Sequence, residues 1–368
     1  MMDEKYLVQI CTPKQWKTIP KSQLLENGKF PVYGANGIIG RYNEYNHEKP
    51  TVLITCRGAT CGNIHITVPK AYINGNAMAL DNLNEIICKK EYLYYFLQYY
   101  DMSKIISGTA QPQITITGLK KVKVKLYSIN KQEEIVNELN KINKLIELKE
   151  RQLEELQKLI KSQFVEMFGT IKENKKKYPI KSLNEVFDLI KDGTHSTPVY
   201  INDKKNGVKF LSAKDVTKGR IDWDNTKYIP IELHEKLVKR IKPQLNDILL
   251  AKNGTTGICA KVNKEEVFDI YVSLALLRPK LENCSDYLVQ AINNEETKEQ
   301  FKKSLKGVGV PNLHLGEIKK AKIIVPPLPI QNKFSEIVKQ IDKQKFEIEK
   351  SLKETQELYE SLMEKYFG

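Results

Sequence analysis

Ser162-Gln163-Phe164-Val165-Glu166-Met167-Phe168-Gly169 returns as Ser361-Leu362-Met363-Glu364-Lys365-Tyr366-Phe367-Gly368, 199 residues further along the chain. The same offset carries Pro112 to Pro311, Leu119-Lys120 to Ile318-Lys319 and Gln132 to Gln331. A repeat must be recognised before elements are assigned, because missing one misreads the whole architecture. This period is far too long for a solenoid. It predicts two domains related by a pseudo-twofold axis. Each copy holds a variable block, a Pro-containing turn and a long charged helix ending in Phe-Gly. A length of 368 residues leaves room for two cores.

The helices are the clearest elements. In the first, Ile135, Leu139, Ile142, Ile146, Lys149, Leu153, Leu156 and Ile160 follow a 4-3 spacing. In the second, Phe334, Val338, Ile341, Lys345, Ile348, Leu352, Thr355 and Tyr359 keep the same register. Heptads sustained this long without Gly or Pro predict a coiled coil, with each helix roughly 55 Å long. Lys149 interrupts the first seam where the second has Ile348, and Lys345 interrupts the second where the first has Ile146. Polar seam positions of this kind set pairing and orientation. An intramolecular, antiparallel pair is expected. The alternative is that each helix packs on its own block.

Charge separates the blocks from the helices. Residues 131–168 hold 7 Lys/Arg against 8 Glu, and residues 331–366 hold 7 Lys against 8 Asp/Glu. The formal charge of +14 therefore resides in the two blocks. That suits a polyanion bound there, although charge alone equally fits a solvated Lys-rich surface. Six cysteines follow no framework spacing. Cys56 and Cys61 lie near His65 without a fourth ligand in sequence, which favours buried or free thiols over zinc. The opening Met-Met-Asp-Glu-Lys has no apolar core, and no run approaches a membrane span. A soluble, cytoplasmic protein with no membrane partner is expected.

Both blocks read as mixed α and β. In the first, residues 51–55 and 64–68 read as strands and 91–107 as a helix. In the second, residues 247–251 and 258–262 match those strands and 286–306 matches the helix. Glycine-rich turns join the strands in both copies, Arg57-Gly58-Ala59-Thr60-Cys61-Gly62 and Asn253-Gly254-Thr255-Thr256-Gly257. Residues 170–178 read as a linker.

Motifs of catalysis are missing. There is no phosphate-binding Gly-x-x-x-x-Gly-Lys-Ser/Thr loop, no His-Glu-x-x-His pair and no Gly-x-Ser-x-Gly elbow. His234-Glu235 does not complete the zinc pattern and reads as part of an exposed helix. The run that holds the target base in amino-methyltransferases is also lacking. What remains are loops suited to DNA. Tyr33 and Asn36 lie in Pro31-Val32-Tyr33-Gly34-Ala35-Asn36-Gly37, whose glycines permit close backbone approach. Arg57, Lys252 and Asn253 stand at the matched turns. Cations there suit phosphate or guanine, and an Asn suits adenine. Thr194 and His195 lie in a comparable loop of the second block, and Lys214 lies in a further run. Gln111 and Gln113 flank Pro112, and Asn312 follows Pro311, at equivalent places. Any one of these loops alone reads as an ordinary surface turn. Their recurrence in two basic blocks is what favours a contact surface.

Taken together these residues resemble the specificity subunit of a type I restriction-modification system. The resemblance covers essentially the whole chain. It rests on the alternation of block and helix, on Lys209-Phe210-Leu211-Ser212-Ala213-Lys214-Asp215-Val216, on the Pro-Val-Tyr-Gly-Ala-Asn-Gly run, on Gly309-Val310-Pro311-Asn312-Leu313, and on Val325-Pro326-Pro327-Leu328-Pro329-Ile330-Gln331. The first copy departs from that last lead-in, reading Leu126-Tyr127-Ser128-Ile129-Asn130-Lys131-Gln132, where only the Gln survives. The resemblance implies an α+β fold with target recognition domains over 1–128 and 170–328. It implies conserved-type helices over 129–169 and 329–368, forming an antiparallel coiled coil. Each recognition domain would read one half of a split, asymmetric double-stranded DNA sequence. The helices would set the spacer and dock two methyltransferase subunits, for which Leu145, Leu148 and Leu159, off the seam, are candidates. Restriction/translocase subunits would join that complex. This chain would be non-catalytic and bind no cofactor, leaving S-adenosylmethionine, ATP and Mg²⁺ to its partners. A coiled-coil scaffold that never touches DNA is the alternative.

Overall fold

The chain divides into two units, Met1–Arg151 with Glu349–Gly368, and Gln152–Ile348. The computed structural model describes residues 3–35, 37–108, 111–216, 219–254, 256–305 and 311–368. Each unit takes the first part of one long helix and the last part of the other; the first unit joins two distant stretches of sequence, and the second is continuous.

In the first unit, a four-stranded antiparallel sheet runs in the order Thr12–Gln15, Ala77–Asp81, Val52–Thr55, Ile64–Ile66. A second sheet places Phe30–Gly34 between Gly37–Tyr42, antiparallel, and Tyr72–Ile73, parallel. All four residues of Val52–Thr55 are buried. Successive side chains of a strand point to opposite faces, so such a strand must be covered on both. Val52 and Ile54 face the core under the helix Lys90–Tyr99, and Leu53 faces a smaller cluster with Tyr33 and Ile73.

The second unit repeats this order with different residues. Its four-stranded sheet runs Phe187–Asp192, Leu274–Pro279, Ile248–Ala251, Cys259–Lys261. Its three-stranded sheet places Gly207–Leu211 between Lys227–Pro230 and Phe268–Ile270. Ile248 and Leu250 face one core while Leu249 and Ala251 face another. The expected strand pairs are therefore present in both blocks, each strand one or two residues shorter than expected. The expected helices break up. Residues 91–107 form a helix Lys90–Tyr99, a 3₁₀ turn Met102–Lys104 and a strand Ile106–Ser107. The Asp101 side chain accepts the Ser103 amide at 3.1 Å and caps the new turn. Residues 286–305 form Ser285–Asn293 and Glu295–Lys303, divided where the Asn294 side chain accepts the Glu296 amide at 3.0 Å. Lys306 lies outside the described residues.

The long helices span Ile129–Phe168 and Leu328–Phe367, 40 residues each. In the first unit Tyr366 donates to Glu138 Oε2 at 2.5 Å, and Lys149 donates to Ser351 O at 2.9 Å and Oγ at 2.8 Å and to Thr355 Oγ1 at 2.5 Å. Residue numbers fall along one helix as they rise along the other, so the pairing is antiparallel. In the second unit Lys345 donates to Gln157 Oε1 at 2.9 Å, and the Phe164 and Phe334 rings lie 5.6 Å apart, again antiparallel. The two lysines that interrupt the seam are thus met by oxygen acceptors rather than left bare in it. Ile135, Leu139, Ile142, Phe334, Val338 and Ile341 are buried. Ile146, Leu153, Leu156, Ile348, Leu352 and Tyr359 are half-buried. The two expectations for the helices are not exclusive. They pair with each other, and their ends also enter the block cores.

The repeated ending now has a physical reason. Phe168 is fully buried against Tyr287 at 4.9 Å and Phe334 at 5.3 Å between ring centroids. Phe367 packs on Tyr92 at 5.3 Å and Phe96 at 6.0 Å. Tyr92 and Tyr287 are matched, each donating to the strand before a long helix, at Lys125 O and Ile324 O, both at 2.7 Å. Gly169 follows with φ +76° and donates its amide to Val165 O at 2.7 Å, a left-handed helix cap that favours glycine.

The surviving Gln of the lead-in is explained as well. Gln132 accepts the Lys89 amide at 2.8 Å and donates to Ile87 O at 2.9 Å and Tyr127 O at 2.8 Å. Gln331 accepts the Cys284 amide at 2.9 Å and donates to Pro326 O at 2.8 Å and Asn283 Oδ1 at 3.2 Å. Both are buried. One side chain thus closes three otherwise orphaned groups where strand, loop and long helix meet, in both copies. The prolines around it can differ because the amide makes the joint.

Candidate nucleic-acid interface

The Gly-rich turns nominated from sequence lie at one edge of each block, beside the loops that follow the block helices. Arg57 bridges Gln113 through backbone pairing, and Asn253 bridges Asn312 in the same way. The residues next to them are clamped. Ile114 donates its amide to Cys56 O at 3.0 Å, and Leu313 donates to Lys252 O at 2.8 Å. Cys56, Ile114, Lys252 and Leu313 are all buried. Alternation along an extended chain then turns Arg57 and Gln113 outward, and both are exposed. Asn253 and Asn312 are half-buried, and the Oδ1 of each is enclosed without a hydrogen-bond partner among the described residues.

The remaining nominated residues divide. Gln111 is exposed. Thr60 Oγ1 donates to Ala35 O, tying the end of the strand Phe30–Gly34 to the Arg57 turn. Asn36 lies outside the described residues, as do Gly309 and Val310. Tyr33 is not on the surface. It is 6% exposed, packs with Leu53 and Ile73, and its hydroxyl accepts the Val68 amide at 3.2 Å. The strand Phe30–Gly34 runs under a second layer, which leaves both Val32 and Tyr33 inside. Thr194 pairs through its backbone with Tyr271, and His195 is exposed with Nε2 3.3 Å from Asp192 Oδ2. Lys214 is exposed on the 3₁₀ turn Ala213–Val216.

Lys252 is turned inward as well, 6% exposed, with its ammonium 2.9 Å from Asp192 Oδ2. Arg240 reaches the other oxygen at 3.0 Å and also donates to Gly193 O at 3.1 Å. Burial opposes ionisation of Asp192, but the Lys252 hydrogen bond and charge, then His195 and Arg240, hold its carboxyl below the ordinary value. Residue type alone pointed Lys252 at a phosphate. The Asp at the end of Phe187–Asp192, two strands away in the sheet, claims it first. Gly193 completes the local fit, since a Cβ there would collide with the Ile270 carbonyl. Neither Asp192 nor Arg240 was singled out in the sequence, where a lone Asp before Gly-Thr looks like a turn residue. In the first block the corresponding strand ends in Gln15, whose Nε2 lies 3.0 Å from Cys56 Sγ. Cys56 is accordingly interior, and all six cysteines are free thiols.

His234 also leaves its expected place. It lies on a short helix, Ile231–Leu237, but its Nδ1 is 2.7 Å from Oδ2 of the buried Asp269. Burial pushes that carboxyl up, partly offset by His234. On the long helices Leu145, Leu148 and Leu159 are 48%, 47% and 42% exposed, large for apolar side chains. Leu358, the repeat partner of Leu159, is 51% exposed. Among the described residues no helix is long and apolar enough to cross a membrane.

Two blocks of one strand order thus carry the same edge at the same places. A sequence profile described as the type I restriction modification DNA specificity domain matches residues 2–158 and 175–358, one match per copy. The chain belongs to this family. Among its relatives are two specificity subunits of type I restriction enzymes from Methanocaldococcus jannaschii. MjaIX is 25% identical over 313 residues, covering 79% of this chain and 70% of the relative. MjaVIII is 25% identical over 334 residues, covering 83% and 77%. The S subunit of a type I restriction-modification system from M. genitalium superimposes with a TM-score of 0.64 at 18% identity, covering 100% of this chain and 96% of that one. That likeness establishes the shared fold: two tandem mixed α/β domains with long helices.

Proposed function

We propose that the chain is the sequence-reading subunit of a type I restriction-modification complex. Each block reads one half of a split, asymmetric duplex target. The long helices fix the spacer between the halves and receive two methyltransferase subunits, with exposed Leu145, Leu148 and Leu159 as contact residues. Restriction/translocase subunits complete the assembly in the cytoplasm. Methyl transfer from S-adenosylmethionine and ATP- and Mg²⁺-dependent work belong to those partners, and this chain is not itself an enzyme.

One observation carries the reading. The two blocks share a strand order and an edge, yet fill its matched positions with different polar side chains, Arg57 and Gln113 against Asn253 and Asn312. A pseudo-symmetric scaffold with divergent contact residues is what an asymmetric target requires. The basic excess of the blocks supports DNA as that target.

Two measurements test it. Affinity for duplex DNA should fall steeply with salt, with a log–log slope of about −0.9 for each phosphate neutralised. A flat response, or no binding with the partner subunits present, leaves a scaffold that does not touch DNA. Exchanging residues 1–125 for the block of another family member should change one half of the methylated sequence and leave the other half as it was.

A further inference from the structure

We infer that the bridged pairs Arg57–Gln113 and Asn253–Asn312 are the base-reading positions of the two blocks, and that the first selects guanine beside adenine while the second selects adenines. This rests on the DNA-reading function proposed above and names the residues and bases within it.

The argument begins with rigidity. A base-reading side chain must be held to a fraction of an ångström, which loops seldom achieve. Here each pair sits on two chain segments locked by a backbone bridge and by the adjacent bonds Ile114 N to Cys56 O and Leu313 N to Lys252 O. Buried neighbours on both segments pin the backbone from beneath. Side chains facing each other across an antiparallel bridge have Cβ atoms about 4.5–5.5 Å apart. Two such side chains therefore suit bases on successive steps of a duplex, about 3.4 Å apart.

Chemistry then assigns the bases. The Arg57 guanidinium and the Gln113 amide form no hydrogen bond or ion pair among the described residues. A guanidinium has five donors and no acceptor, so it needs a base edge with two acceptors, which in the major groove is guanine O6 and N7. An amide offers one acceptor and donors, the complement of adenine N6 and N7. The second block has two amides. Their Oδ1 atoms are enclosed and lack a donor among the described residues. An enclosed acceptor without a donor is unfavourable. Rotation of each side chain toward the groove would present that oxygen to an adenine N6–H. Lys252, the cation at the matching turn, is sequestered by Asp192, which removes the guanine-reading group from this edge.

The experiment is selection from a randomised duplex pool by the full chain assembled with its modification subunits. The expected motif has guanine next to adenine in one half and adjacent adenines in the other. Arg57→Asn should replace that guanine by adenine, changing the preference there by about 5- to 150-fold and leaving the second half intact. Asn253→Arg should bring guanine into the second half only. Arg57 is an exposed turn residue, so its variant retains the fold, which thermal unfolding checks. An unaltered guanine preference in Arg57→Asn overturns the inference. So does weaker binding to every sequence alike, which marks a phosphate contact. Exchange of residues 1–125 on the same pool separates the two claims. If the exchange changes one half-motif and Arg57→Asn does not, only the base assignment fails. If the exchange changes nothing, the DNA-reading function of the block fails with it.

Discussion

At the same point beneath the reading edge, the first block places Gln15 against Cys56 and the second places Asp192 against Lys252. Both pairs join the end of one sheet strand to the residue just before the bridged turn. The first pair is neutral, the second ionic, with Arg240 and His195 added around the same carboxylate. The backbone above is the same in outline: a bridge, and an amide bonded to the buried residue's carbonyl. Supporting chemistry can therefore change while the edge keeps its form. A buried ion pair is not needed to build this edge, because the other block does without one.

The sharpest way to break the comparison is to remove one partner of each pair. Lys252→Met leaves the Asp192 carboxylate 6% exposed and short of its closest cation. Stranding a buried charge outright costs about 3–5 kcal/mol, and Arg240, still 3.0 Å from the carboxylate, keeps the loss below that. Gln15→Ala removes neutral contacts to the Cys56 thiol and to Gly75 O and should cost about 1 kcal/mol. The double change Asp192→Gln with Lys252→Cys installs the first block's pair in the second and should recover most of the Lys252→Met loss. Hydrogen exchange resolved by segment reads each block separately. Equal losses for Lys252→Met and Gln15→Ala would show that the two pairs are interchangeable in energy as well as in place.

A second test asks where the blocks are alike. Gln132 and Gln331 each close three polar groups at the joint before a long helix. Replacing either with Ala leaves buried groups unpaired, at about 1–3 kcal/mol per group left dry. The two losses should agree closely, although the surrounding lead-ins differ. Denaturant unfolding of each variant against wild type measures this, and a large loss at Gln132 alone would transfer the second joint's strength to its prolines.

What was legible in the sequence follows the same line between shared and divergent parts. The heptad register, the Phe-Gly ending and the paired strands were readable, since repetition and periodicity report backbone geometry directly. The matched turns were readable as a set because they recur. The fate of single side chains was not. Tyr33 looked like a surface aromatic in a Gly-rich turn, but the strand carrying it is covered by a second layer. Lys252 looked like the counterpart of Arg57, one position away, and that single position is the difference between inside and outside on an extended chain. Both block helices were read too long, because Asp101 and Asn294 open new turns with their own side chains.

The smallest expected effect comes from acid. The Asp192 carboxyl is held below its ordinary value by Lys252, His195 and Arg240 acting against burial. Its folded value lies below its unfolded one. The stabilisation is therefore complete above about pH 4, the ordinary carboxylate value, and is lost as pH falls through the lower folded value. Protonated Asp192 resembles Asn, so the stability gap between wild type and Asp192→Asn should be full near neutral pH and close in strong acid. Asp269, raised by burial, acts with the opposite sign, since its contribution is present below about pH 4 and fades as pH rises through its folded value. It is common to wild type and variant and cancels from the gap. The first block has no carboxylate at this place, so the penalty of Gln15→Ala should stay level across the same range. Unfolding measured at several acidic pH values decides it: a gap for Asp192→Asn that persists unchanged in acid would mean that these three neighbours do not determine its charge.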